Sequence, residues 1–306
     1  MIQRRIGALR VSVVGLGCNN FGRRLDAEGT AKVVHAALDA GINFFDTADT
    51  YGGTMSEEYL ARALGKKRKG LVIATKFGST IDEQRQGARP EYVKRAVEDS
   101  LSRLKTDCIG LYQLHKPDPT VPISETLGAL DDLVKAGKVR EIGCSNFSVA
   151  QLTEAEHAVA PGAARFVSVQ NEYSLLHREP RHGVLAECAA LGMAFLPYFP
   201  LASGLLTGKY RKGKPIPEGS RLASGWKKEL FNEENLSKVE QLMAFAEGRG
   251  HTILELAFSW LLTRPMVASV IAGATKPEQV TANAAAAEWS LEESALEEIN
   301  RIAGGP

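Results

Sequence analysis

"INFFDTADTYG", residues 42–52, changes character within a few positions. Ile42, Phe44 and Phe45 make a short apolar run with the length and composition of a buried strand. Asp46, Asp49 and Tyr51 follow at once. Asp, Thr and Gly also make ordinary turns, and many strands end this way. Whether the polar half is more than a turn depends on what stands at the ends of the other strands.

Seven further runs of the same kind appear: "VVGLG" (13–17), "LVIAT" (71–75), "CIGLYQL" (108–114), "VREIGC" (139–144), "FVSVQ" (166–170), "AFLPY" (194–198) and "ASVIAG" (268–273). With "INFF" (42–45) that makes eight, each too short for a core helix and rich in Val, Ile or aromatics. Amphipathic helices lie between them. Val93, Val97, Leu101 and Leu104 form one stripe at helical spacing, and Ile123, Leu127, Leu130 and Val134 another. Ser148 with Gln151, Thr275 with Glu278 and Ser290 with Glu293 read as capping boxes; Gly41 and Gly137 stand where helices end. A hairpin is expected over about residues 2–12, and a helical pair over roughly 233–249 and 252–263. The one long irregular segment, 208–232, has the length of a binding or lid loop.

Eight strand–helix units without a Pro-, Gly- or Ser-rich break fit a single (β/α)8 TIM barrel over residues 1–306, with an N-terminal β-hairpin and extra C-terminal helices. The competitor is a doubly wound dinucleotide-binding sheet, supported by "GLGCNNFG" (15–22) and by Asp46 at the end of the second strand. Asn20 takes the place of that motif's third glycine, and Asp46 lies well past the fingerprint's spacing of about 20 residues. The barrel is the favoured reading.

A net charge of +1 gives no reason to expect nucleic acid or an anionic membrane surface as partner. Cys18, Cys108, Cys144 and Cys188 show no CxxC and no metal spacing, so a reducing, cytoplasmic setting is expected and no metal. No apolar run reaches the length of a membrane span, and the N-terminus "MIQRRIGALR" lacks the apolar stretch of a signal peptide.

In such a barrel, active sites form at the C-terminal ends of the strands. Those ends carry Asp46 and Tyr51 after the second strand, Lys76 after the third and His115 after the fourth. Ser145 and Asn146 follow the fifth, Gln170 ends the sixth, Tyr198 the seventh, and Thr275 and Lys276 follow the eighth. Each alone has a bland explanation: a surface lysine, a turn histidine, an amphipathic surface tyrosine. Four complementary groups on three consecutive strand ends read as a proton-transfer unit. A tyrosine is a poor acid at neutral pH unless its phenolate is stabilised, and an adjacent ammonium lowers its pKa. Asp46 would keep Lys76 charged and aimed, while a neutral His115 polarises a carbonyl oxygen. Such a unit protonates that oxygen while something else delivers hydride to carbon.

These segments, with "FDTADTYGG…SEEYLARAL", "IATKFG", "LYQLHKPDP", "IGCSNFS", "VQNEYSLL", "YFPLASGLLTGKY" and "VIAGATKPEQVTAN", resemble the aldo-keto reductase superfamily in order and spacing over nearly the whole chain. The resemblance implies a nicotinamide-dependent reductase of aldehyde or ketone carbonyls. Tyr51 would be the general acid, supported by Lys76, Asp46 and His115. Ser145, Asn146 and Gln170 would hold the nicotinamide carboxamide and Tyr198 would stack on its ring. Leu201, Ser203, Gly204 and Leu205 would follow the pyrophosphate, with Gly17, Cys18, Asn19 and Gly273 also in contact with the cofactor.

NADP(H) is the expected cofactor. Pro277 suits the first turn of a helix that would begin at "GATKPEQ" (273–279), whose free N–H groups make an anion site. Lys276 there opposes the helix dipole, which a bound phosphate would explain, although a tolerated surface lysine is the plain alternative. The resemblance sets the adenosine 2′-phosphate against this turn, with Gln279 where relatives often carry arginine, and the adenine near Asn283. Lys116 replaces a common tryptophan after the histidine, and the chain ends at "RIAGGP" without the long tail of many relatives, so an open substrate site is expected. Asn19, Asn20, Phe21, Phe77, Lys116 and Trp226 are candidate pocket-lining residues, or else ordinary loop and barrel-mouth side chains. The superfamily also includes β subunits of voltage-gated potassium channels, which makes a nicotinamide-binding regulatory module the alternative function. The physiological carbonyl is not legible, nor is the oligomeric state, for which a monomer is the simplest reading.

Overall fold

Phe44, Val72, Ala74, Leu111, Leu196 and Ile271 are all buried in one apolar cluster with Ile6, Leu9 and Val11, and that cluster is the interior of a barrel. The last three residues belong to an antiparallel hairpin, β1 (Gln3–Ile6) and β2 (Leu9–Ser12), which plugs one end. In the computed structural model, which describes residues 1–68 and 70–304, the wall is eight strands. They are β3 (Val14–Gly17), β4 (Phe44–Asp46), β5 (Val72–Phe77), β6 (Ile109–Leu114), β7 (Val139–Ser145), β8 (Phe166–Glu172), β9 (Ala194–Tyr198) and β10 (Val270–Gly273). All neighbours pair in parallel in chain order, with β10 beside β3. A parallel bridge between Phe195 and Val267 brings β9 against the approach to β10 and closes the ring, with Phe195 N donating to Met266 O at 2.7 Å.

The helices pack outside this wall: α1 (Ala27–Asp39), α2 (Met55–Leu64), α3 (Pro90–Leu104), α4 (Ile123–Lys135), α5 (Val149–His157), α6 (Val184–Leu191), α7 (Glu233–Glu247), α8 (Ile253–Leu262), α9 (Pro277–Ala285) and α10 (Glu293–Ile302). Val93, Val97, Leu101 and Leu104 of α3 are buried, as are Leu127 and Leu130 of α4, with Ile123 and Val134 half-buried beside them. Each such burial contributes roughly 1.5–3 kcal/mol, which favours this face turning inward over every alternative. Gly41 and Gly137 follow α1 and α4 at φ 75° and 73°, a backbone that glycine adopts without a Cβ penalty.

One expected capping box forms, Ser148 with Gln151 on α5. The other two do not. Pro277 fixes the start of α9 and makes Lys276 its N-cap, so Thr275 lies one residue too early; its amide and hydroxyl instead donate to Gln279 Oε1 at 2.8 and 3.2 Å. Helix α10 begins at Glu293 after Glu292, which leaves Ser290 outside capping reach. Residues 208–232 contain only short 3-10 turns, at Leu222–Ser224 and Lys228–Leu230. Gly305 and Pro306 of the terminal "RIAGGP" lie outside the described residues.

Candidate active site

Strand register brings the polar strand ends together. Asp46 pairs with Ala74 on β5, Lys76 with Gln113 on β6, and Ser145 with Gln170 on β8. Because successive side chains alternate, Lys76 points into the barrel while its neighbour Thr75 points out toward Glu57 of α2. Lys76 is fully buried, and its three ammonium hydrogens have three partners. These are Asp46 Oδ2 at 2.7 Å, Thr47 O at 2.9 Å and Tyr51 Oη at 3.5 Å. Asp46 Oδ1 accepts from Gln170 Nε2 at 2.9 Å and from Gln113 Nε2 at 3.2 Å. The Tyr51 and His115 rings meet edge to face at 5.9 Å.

The turn that carries Tyr51 is pinned from several sides. Thr47 Oγ1 shares a hydrogen bond with Ser56 Oγ at 2.8 Å, and Ser56 donates on to Cys18 O at 3.0 Å. Asp49 N donates to Lys76 O at 3.1 Å. Gly52 has φ +60°, and a Cβ on it would stand 2.3 Å from Phe21 O, so no side chain fits directly after the tyrosine.

Burial determines the protonation states here. It opposes the Lys76 ammonium, but Asp46 and Tyr51 outweigh it and the pKa ends above its ordinary value. Tyr51 runs against expectation: burial raises the phenol, Lys76 only partly offsets this, and the net shift is upward rather than downward. Tyr51 is therefore firmly protonated, with an ammonium at hand to stabilise the phenolate left when the proton goes. Burial, then Lys76 and Lys116, push His115 down to about 3, so its imidazole is neutral. Such a set can hold a proton on Oη and offer a neutral ring beside it to a polarised oxygen.

A cavity of about 670 Å³ opens at this set. Among its lining residues are Gly17, Cys18, Asn19, Ser145, Asn146, Gln170, Tyr198, Leu201, Ser203, Gly204, Gly273, Thr275, Lys276, Gln279 and Asn283, together with Asp46, Tyr51 and His115. Leu205 is not among them; it is fully buried in the apolar core between wall and helices, so only its neighbours face the space. Phe21 and Phe77 are also fully buried, Phe77 stacked on Tyr112 at 4.7 Å, and neither lines this cavity. Asn20 lines the cavity, whereas exposed Lys116 and Trp226 do not.

Three groups that the sequence reading did not name complete the site, among them parts of the 208–232 loop expected to bind or cover a ligand. Gln113 lies inside the apolar run "CIGLYQL", a polar residue in a strand interior, which was the available signal. Pro217 to Arg221 of the long loop form a wall of the cavity, tied down by Arg24 Nη2 on Gly219 O at 2.9 Å and by a Lys227–Glu172 ion pair at 2.5 Å. Arg24, Lys209 and Arg221 also line the cavity, none of them ion-paired among the described residues. Burial and then repulsion from neighbouring arginines lower the pKa of Lys209 and Arg221, as expected of cations gathered without an ion-pair partner. Ser203 Oγ is buried with no hydrogen-bond partner. Clustered cations beside an orphaned hydroxyl suit a polyanionic ligand, and a dinucleotide diphosphate fits that donor set. Toward the Tyr51 end, Ser145 Oγ donates to Gln170 O at 2.6 Å, Asn146 Nδ2 to His115 O at 2.9 Å, and Tyr198 OH to Asn146 Oδ1 at 2.8 Å. With both Gln170 amide hydrogens on Asp46 and Gln113, its Oε1 is left as an open acceptor, suited to a carboxamide NH2.

No helix among the described residues is long and apolar enough to cross a membrane, and they contain no cluster of His, Cys, Asp and Glu that could hold a metal. The sequence profile of the Aldo/keto reductase family matches residues 13–303. The aldo-keto reductase YhdN of Bacillus subtilis (strain 168) is 37% identical over 306 residues, covering 96% of this chain and 90% of its own. A protein of Oryza sativa subsp. japonica named "Probable voltage-gated potassium channel subunit beta" is 35% identical over 90% of this chain and 87% of its own. Among solved structures, the glycerol dehydrogenase of Gluconobacter oxydans superposes with a TM-score of 0.85 at 31% identity, covering 98% of this chain and 94% of its own. An aldo-keto reductase of Bacillus halodurans, solved in holo form, gives 0.84 at 30% identity, covering 100% and 97%. A family profile that matches residues 13–303 and relatives more than 30% identical over nearly the whole barrel show that this chain belongs to the Aldo/keto reductase family.

Proposed function

We propose that this chain is one barrel domain that reduces aldehyde or ketone carbonyls of small molecules to alcohols with NADP(H). The observation that carries the reading is the fully buried Lys76, whose ammonium is divided among Asp46, the Thr47 carbonyl and the Tyr51 phenol beside a dinucleotide-sized cavity. A bound nicotinamide would supply hydride to the carbonyl carbon. Tyr51 Oη holds the proton for the carbonyl oxygen, and Lys76 stabilises the phenolate that remains. Asp46 keeps Lys76 charged and aimed. The neutral His115 ring polarises the oxygen from beside Tyr51. Gln170, with Ser145 and Asn146, would orient the carboxamide; Tyr198 would cover the ring; Ser203, Gly204, Lys209, Arg221 and Arg24 would hold the diphosphate. Gly17, Cys18, Asn19, Leu201 and Gly273 would line the remainder, and Asn283 would meet the adenine. The four free cysteines suit a reducing cytoplasm.

For the cofactor, exposed and unpaired Lys276 at the N-cap of α9 supports a 2′-phosphate at that turn. Gln279 occupies the donors of Thr275, which weakens the anion site and argues for a moderate NADPH preference with some NADH use. The test is kcat/KM with both cofactors in wild type and Lys276→Ala. A wild type preferring NADH, or a variant whose cofactor ratio stays put, refutes the assignment.

Similarity to the Oryza sativa relative supports a second reading, a nicotinamide-binding regulatory module. Turnover of 4-nitrobenzaldehyde separates the two: reduction establishes the enzyme, and cofactor binding without turnover favours the module.

A further inference from the structure

On the outer side of the β4–β5–β6 wall, between it and the helices, lies a second set of buried ionisable groups. Glu57 of α2 is fully buried and accepts from Thr75 Oγ1 at 2.5 Å and from Arg103 Nε at 2.6 Å. Asp49 stands beside them, 1% exposed, with neither carboxyl oxygen in a well-formed hydrogen bond. Facing it are Glu57 from α2, Arg103 and Tyr92 from α3, Tyr112 from β6, Lys76 from β5 and the Thr50 amide of its own turn.

The charges do not balance. Among the described residues, Asp46, Asp49 and Glu57 face only two cations, and those are engaged: Lys76 with Asp46 and Arg103 with Glu57. The carboxyl left without a cation is Asp49, and its nearest donors, the Thr50 amide and the Tyr92 hydroxyl, make no well-formed hydrogen bond to it. A buried carboxylate in that position takes up a proton rather than remain charged. Burial, then the Glu57 charge, lift its pKa to about 7 against the pull of Arg103, the Thr50 amide and Lys76.

The position also matters. Asp49 donates its amide to Lys76 O, and Tyr51 follows two residues later with its own amide on Ala48 O at 3.2 Å. An ionised Asp49 has to find donors. It can draw Arg103 from Glu57 or open the turn to water, and opening the turn that carries Tyr51 disturbs the 3.5 Å contact between Lys76 and Tyr51.

We propose that Asp49 is a positioning residue that works in its protonated form and couples the seating of Tyr51 to pH. The inference rests on Tyr51 as proton donor. In wild type, kcat/KM for 4-nitrobenzaldehyde should fall above neutral pH, by about tenfold per pH unit, as the competent form is depleted. Asp49→Asn, isosteric and uncharged, should restore turnover on the alkaline side and lose that limb. An independent readout is ¹³C NMR of wild type labelled at the aspartate carboxyls, where one resonance should titrate near neutrality and vanish in Asp49→Asn. An unchanged alkaline limb in a folded Asp49→Asn overturns the proposal, as does the absence of a near-neutral titration, the latter even if the variant fails to fold. A wild type that reduces no aldehyde at any pH refutes the reductase reading instead, and the NMR titration still decides the protonation of Asp49.

Discussion

Replacing Lys76 by methionine removes the only cation, among the described residues, bonded to a carboxylate that is itself 4% exposed. Breaking a buried ion pair from one side costs about 3–5 kcal/mol, because the partner is left charged and uncompensated. Here the lower end is expected. Asp46 Oδ1 keeps Gln113 and Gln170, and only Oδ2, the Thr47 carbonyl and, at 3.5 Å, Tyr51 Oη lose their donor. At about 2 °C per kcal/mol for a chain of this size, Tm should fall by roughly 6 °C. The double variant Asp46→Asn, Lys76→Met no longer strands a charge, so it should regain about 2 kcal/mol and about 4 °C over Lys76→Met alone. The gap between the two should narrow in acid, where protonation relieves the stranded carboxylate. The assay is denaturant unfolding of the wild type and both variants at two pH values. A double variant no more stable than Lys76→Met would refute the reasoning, since the cost would then come from lost packing and not from charge.

Tyr51→Phe should retain cofactor binding and lose reduction by about 10²–10⁴-fold, as expected for a positioned general acid; near wild-type kcat would end that assignment. Burial holds His115 at about 3 in the fold against about 6.5 when unfolded. The stability tied to its neutral form is complete above about pH 6.5 and is lost as pH falls toward 3, so His115→Gln should flatten the acid slope of unfolding free energy. Lys209→Ala and Arg221→Ala should each weaken cofactor affinity and reduce its salt dependence, measured by fluorescence titration; unaltered salt slopes would exclude both from the anion site. Gly52→Ala, forced against Phe21 O in a positive-φ backbone, should destabilise the fold and depress kcat more than it raises KM; wild-type values for both would mean that the turn is looser than it stands.

The eight strand runs, the helical stripes, the hairpin and the ends marked by Gly41 and Gly137 were legible in the sequence because periodicity and backbone preference are local properties. Asp46, Tyr51, Lys76 and His115 could be read as one unit because barrel topology collects strand ends, so knowing the order of strands was enough to bring them together. What needed tertiary structure was whatever depends on distance between segments far apart in the chain. Thr275 looked like a cap until Pro277 fixed where α9 begins, and Phe21, Phe77 and Leu205 looked available to a ligand until packing turned them inward. The sign of the Tyr51 shift followed from burial competing with one charge, and the protonated state argued for Asp49 from a count of buried carboxylates against buried cations. Neither can be summed along a chain. Electrostatic energy depends on the depth and separation of groups brought together from many segments, and only the folded barrel sets those distances.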